Sequence, residues 1–201
     1  MRPELRNSSD RLARPRTALL PLRAAAGVSL VELLLVIVCV SILVAVAVPG
    51  YRYVTNNNRI AAEVNGLLGD MQYARAEAVR EGQPVTVCSS SNGTQCSNST
   101  SWQNGWIVFS DLNNDQTVDG PDVVLRKQAS FAANGDTFAA GNGVSAVTFN
   151  REGFANFPLA VTTTTNFTLH DQTSTSTWTR CLAVSVVGQL TTETSGVGGC
   201  L

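Results

Sequence analysis

The sequence predicts an α+β fold: one long N-terminal helix packed on an antiparallel β-sheet or small sandwich. Three observations predict it. Residues 28–48 are an apolar run that holds one charge, Glu32, and two hydroxyls, Ser29 and Ser41. Behind that run, Ile60, Val64, Leu67, Met71, Ala74 and Ala78 recur at alternating spacings of four and three, which is one stripe of a helix. After Pro84 the pattern changes to short apolar runs separated by clusters of Gly, Asn, Ser and Thr.

Taken in order, residues 1–27 come first. They hold six of the chain's 14 basic residues, all arginine, against Glu4 and Asp10, so the remainder of the chain is net acidic. A basic flank before an apolar helix stays on the cytoplasmic side, which sends residues 83–201 to the opposite side as a periplasmic head. At about 1.5 Å per residue, the run 28–48 spans about 30 Å, the thickness of a bilayer core. It reads as a transmembrane helix. Pro49 removes one helical hydrogen bond and is expected to kink the helix rather than end it. Residues 51–82 continue as the amphipathic half, with Arg59, Glu63, Asp70, Gln72, Glu77 and Arg80 between the stripe residues. Gly82 and Pro84 stop the helix. Strands are expected at 85–89, 106–111, 123–128, 144–150, 167–170 and 181–187. The clusters 89–104, 112–121, 132–143 and 160–179 are expected to be loops, the Thr-rich tract 162–165 among them. With the leader set aside, the chain suffices for an anchor and one compact domain.

Of the five cysteines, Cys39 lies mid-run as a small apolar filler. The other four fall in the exported part, where oxidation is permitted. They allow three connectivities. Pairing Cys88 with Cys96 and Cys181 with Cys200 closes two short loops and is the expected one. A metal site is the rival reading, but no CxxC occurs and the lone His170 is far from any cysteine in sequence.

Glu32 is the residue out of place. A carboxylate five residues into a membrane helix costs a few kcal/mol and is a functional candidate by default. The plainer reading is that it reaches headgroups or water at the helix end. The stretch Gly27, Val28, Ser29, Leu30, Val31, Glu32 resembles the cleavage motif of type IV prepilins, with Val28 where phenylalanine is usual and a long leader before Gly27. The resemblance implies that prepilin peptidase cuts between Gly27 and Val28, removing 1–27, and methylates the new amine on Val28. It also implies that Glu32 pairs with the N-terminal amine of a neighbouring subunit during assembly. An ammonium and a carboxylate in hydrocarbon attract strongly, and either alone is penalised.

The second half extends the resemblance. Gly105, Trp106, Ile107, Val108 and Phe109, followed by Asp111, Asn113 and Asp115, are similar to a signature of the FimT/GspH family of minor pilins and pseudopilins. Phe149, Asn150 and Gly153 resemble that family's F-N-x-x-G strand and turn. The implied function is a minor subunit that assembles into or primes a type IV pilus or a type II secretion pseudopilus. Implied partners are other minor and major pilins or pseudopilins, prepilin peptidase and the inner membrane.

Asp111, Asn113, Asp115, Thr117, Asp119 and Asp122 take positions 1, 3, 5, 7, 9 and 12 of an EF-hand-like loop. But Gln116 replaces the required glycine, and Asp and Asn make ordinary turns by bonding to their own backbone. A structural turn is expected here, with calcium as the alternative. No cofactor is expected. Catalysis has no support: no nucleophile motif, phosphate loop or paired-acid spacing stands out. Trp102, Trp106 and Trp178 are expected to pack in or beside the core. The other functional class is a membrane-tethered periplasmic binding module such as a DNA-uptake receptor. Family members of that kind carry basic residues in a loop after a strand-ending glycine. The matching stretch, Gly188 to Thr191, has no arginine, and from Glu81 onward four basic residues face nine acidic ones. Phosphate binding needs clustered Lys and Arg, so DNA binding is not expected.

Overall fold

The computed structural model describes residues 27–131, 135–158 and 161–200. The expectations for residues 1–26 lie outside the described residues. The chain divides into two units between Val46 and Ala47.

In the first unit every described side chain is exposed. Helix α1 begins at Leu30 and runs to Glu81 as one element with Pro49 inside it. From Ala47 on it belongs to the second unit, where it buries one face: Ile60, Val64, Leu67, Met71, Ala74 and Ala78. These are the six stripe residues. The Gly82 N–H donates to Ala78 O at 3.0 Å and closes the last turn.

Two antiparallel sheets follow. The first joins β3 (Val123–Ala129), β2 (Gly105–Ser110), β1 (Val85–Ser89), β5 (Ala146–Phe149) and β6 (Ala155–Asn156) in that order. The second joins β4 (Thr137–Ala140), β7 (Thr164–His170), β8 (Arg180–Ser185) and β9 (Leu190–Thr194). β1 is the centre of the first sheet, pairing Val85–Ser89 with β2 on one side and β5 on the other. One core holds the helix stripe, Val85, Val87, Trp106, Val108, Val147 and Phe149 of the first sheet, and Phe138, Phe167, Leu169, Leu182 and Val184 of the second. The helix therefore sits on inward-facing residues of both sheets.

β1 and β2 are buried at every position. Alternation fails because the opposite face of the first sheet is also covered. Cys88, Ile107, Phe109 and Ala146 form a second small core there, under Cys96, Val118 and Val124. The loops after β1 and β2 supply that cover.

The sequence placed six strands and missed three. β4, β6 and β9 fall where loops or no strand were expected. β6 has two residues, and β9 reads LTTET with no buried position, so neither carries an apolar alternation. The tract 162–165 was expected to be surface loop, but β7 begins at Thr164 and Thr165 is buried, its hydroxyl donating to Gly141 O at 3.1 Å. Threonine is β-branched and suits a strand once its hydroxyl has a partner.

Leu67 is fully buried against both sheets. Leu67→Ala is expected to cost about 2–5 kcal/mol, read as a lower denaturant midpoint of the detergent-solubilised chain.

Candidate functional site

The chemistry begins at the start of α1. Gly27 to Ser29 precede the helix. Ser29 is the N-cap: its Oγ accepts from the Glu32 backbone N–H at 3.2 Å, and its carbonyl accepts from Leu33 N–H at 3.1 Å. Ser-x-x-Glu is the capping-box spacing, and Glu32 at the third helical position suits the positive end of the helix. The capping role of Ser29 is not among the sequence expectations, although its spacing to Glu32 carries the signal. Glu32 is exposed, as is every described residue around it in the helix. Fifteen large apolar side chains from Val28 to Val48 are exposed. At about 1.5–3 kcal/mol per side chain, leaving them in water costs tens of kcal/mol. This is the one described helix long and apolar enough to cross a membrane. Cys39 is exposed within it.

The loop 111–122 is built around Asp111, which is fully buried. Its carboxylate accepts from the Thr86 hydroxyl at 2.7 Å and from the backbone N–H groups of Asp115 and Gln116 at 3.0 Å. Asp122 accepts from Leu112 N–H at 3.1 Å, and Asp115 from Thr117 N–H at 2.8 Å. Asn113 donates to Asp115 and Asp119. The acids of the expected loop therefore bond to its own backbone. Among the described residues no three His, Cys, Asp or Glu gather into a group that could hold a metal.

The family-like signatures do structural work. A side chain at Gly105 would meet Gln128 O at 2.5 Å, and its φ is +107°, so the sheet closes there only around glycine. Trp106 is buried and donates Nε1–H to Asp70 on α1 at 2.8 Å. Asp70 also pairs with Arg126 at 3.1 Å, and that guanidinium lies 3.8 Å over the Tyr73 ring. Asn150 accepts from the N–H groups of Glu152 and Phe154 and shapes the turn before β6. Disulfides join Cys88 to Cys96 and Cys181 to Cys200, with Cα atoms 5.6 Å apart in each. His170 Nδ1 lies 2.9 Å from the Thr179 hydroxyl. Trp102 is buried and bonds Val144 O at 3.2 Å.

The turn after β8 holds Gly188, where a Cβ would fall 2.0 Å from Gly153 O. It lacks basic residues of its own, but the fold brings one to it. Arg75 of α1 donates Nε–H to Gly153 O at 3.0 Å and lines an open groove with Val79, Val187 and Leu190. Arg75 lies far from the turn in sequence, and no local pattern announces their meeting.

Near the other end of the buried stripe, Arg59 pairs with Asp136, whose side chain is fully buried, and lies 3.8 Å from Glu63. Burial pushes the Glu63 carboxyl above its ordinary range, with Arg59 pulling it partly back. Its Oε2 is buried with no hydrogen-bond partner among the described residues.

The sequence profile of a family described as type II transport protein GspH matches residues 63–188, more than half of the chain. No curated protein matches the sequence. The fold is similar to a crystal structure of the type IV minor pilin FimU of Pseudomonas aeruginosa, with a TM-score of 0.51 and 22% identity over 69% of this chain and 89% of that one. A second crystal form of FimU gives 0.48 and 23% over 68% and 91%. At this identity the likeness concerns the fold.

Asp111→Ala removes the acceptor for a buried hydroxyl and two backbone donors. It should destabilise the head by about 3 kcal/mol, and calcium should leave the melting temperature of the parent chain unmoved. For Glu63 the sign runs with acid. The folded state holds this proton more tightly than the unfolded chain, so the charged form opposes folding at neutral pH and the opposition fades as pH falls through the carboxyl range. Glu63→Gln should therefore raise the melting temperature at neutral pH and lose that gain in acid, as thermal scans across pH can measure.

Proposed function

We propose, since this chain belongs to the GspH family of type II transport proteins, that it is a single-pass inner-membrane subunit which enters a filament through its N-terminal helix. It is a pilin-like subunit of the minor pilin and pseudopilin class, and its α+β fold is that of a minor pilin. Our reading places residues 1–27 in the cytoplasm, cut by prepilin peptidase after Gly27, with Val28 methylated as the new N-terminus. Residues 83–201 form the periplasmic head. The filament is a type IV pilus or a type II secretion pseudopilus, where the subunit joins other minor and major subunits and helps to start assembly. No catalysis is assigned to it.

One observation carries this reading. The run 28–48 is exposed and apolar on every side and bears a single carboxylate, in the first turn of α1. Lipid or sister helices can cover the apolar surface, but only a cation can neutralise Glu32 there without proton uptake. A free amine on the Val28 of a neighbour, released by the cut, is such a cation. The rival reading, a DNA-uptake receptor, finds Arg75 at the turn holding Gly188, while Arg151 of the adjoining 150–153 turn is paired with Glu152. The Arg75 guanidinium already donates to a carbonyl, and one cation releases too few counterions for appreciable affinity.

In cells with prepilin peptidase the mature chain should begin at methylated Val28, by N-terminal sequencing and mass, and should appear among sheared filaments. Glu32→Ala should stay in the membrane fraction yet enter filaments poorly. A chain that keeps its arginine-rich leader in such cells would remove the reading.

A further inference from the structure

We propose that the loop 171–179 and the start of the second unit form a foot that docks on phospholipid headgroups at the outer surface of the membrane. The proposal rests on the reading of residues 28–48 as the span. Directly after that run come Pro49, Tyr51, Arg52 and Tyr53 on α1. At about 1.5 Å per residue they lie within about 8 Å of the end of the run, the depth of a headgroup layer. Tyr51 and Tyr53 are more than half exposed. Trp178, 125 positions beyond Tyr53 in sequence, packs on the Tyr53 ring with centroids 4.8 Å apart. The two rings, Pro49, Arg52 and Thr173 line an open groove of about 660 Å³. Trp and Tyr are the residues whose part-apolar rings settle at the membrane–water boundary.

Three charged side chains line the groove: Arg52, Arg59 and Asp171. Arg59 is taken up by Asp136 and Glu63. The Thr173 hydroxyl, 2.8 Å from both Asp171 carboxylate oxygens, donates its one proton to that carboxylate, which keeps its negative charge. Arg52 is exposed, and its guanidinium has no ion pair or hydrogen bond among the described residues. Arg180, next to the loop but outside the groove, donates to Asn57, Thr177 and Thr179. Arg52 thus lines the groove beside an aromatic pair at headgroup depth, and phosphate is the anion present there in bulk. Of the three tryptophans, Trp102 and Trp106 are buried and Trp178 is not, so the chain carries its own depth probe.

The test uses the full chain in vesicles of phosphatidylcholine and phosphatidylglycerol. Their acyl chains are brominated either near the glycerol or near the chain end. The Trp178 signal is the difference between the parent and Trp178→Phe. It should lose more than about half of its intensity to the shallow bromines and less to the deep ones. Arg52→Gln should weaken the shallow quenching. A tryptophan introduced by Leu43→Trp in the Trp178→Phe chain reports insertion of the helix. Quenching at that site with none at Trp178 leaves the span standing and overturns the foot. Quenching at neither site overturns both. Shallow quenching unchanged by Arg52→Gln overturns the part given to that arginine.

Discussion

The ridge of Ile60, Val64, Leu67, Met71, Ala74 and Ala78 is the surface on which both sheets close. The first sheet brings Trp106 and Phe149 into the core with this ridge, and the second brings Phe138, Phe167 and Leu182. The helix makes one core out of two half-cores, and every strand register is measured against it.

Polar contacts then fix how the sheets sit on that ridge. Asp70 holds Trp106 and Arg126, tying β2 and β3 to the helix. Arg75 ties the turn before β6 to the helix through Gly153 O. Asp111 gathers the loop after β2 over the outer face of the first sheet. These buried or half-buried bonds are directional, so they select one arrangement among the many that apolar packing alone would accept. The residues that mark the family are accordingly folding residues. Gly105 permits a close strand approach, Trp106 reaches the helix, and Asn150 builds a turn.

The N-terminal unit obeys a different rule. Its described side chains are exposed and, apart from Ser29, Glu32 and Ser41, apolar or absent. Such a helix is stable only where something apolar surrounds it, and that need is what a filament of packed helices or a bilayer can meet. The same chain thus carries two helix patterns in one element, an all-round apolar one to Val48 and a one-sided one from Ile60. The change from one to the other marks where the surroundings change.

Much of this was legible in the sequence. Helical periodicity is a local property, so the stripe could be read residue by residue, and β1 could be read from its apolar run and flanking turn residues. The apolar run and the acid near its start were equally plain, because composition alone sets their cost in water. What only the tertiary structure decided depends on partners distant in the chain. β9 and the Thr-rich start of β7 are strands because neighbours pair with them; threonine favours a strand, but neither segment shows the apolar alternation that would mark one. Asp111 is buried because Thr86 and a loop backbone surround it, so its loop is held by its own acids. Arg75 meets the turn at Gly188, and Trp178 meets Tyr53, only after the chain has closed on itself. Local pattern fixes elements through the preferences of adjacent residues. Contacts between residues a hundred positions apart exist only once the core has brought them together.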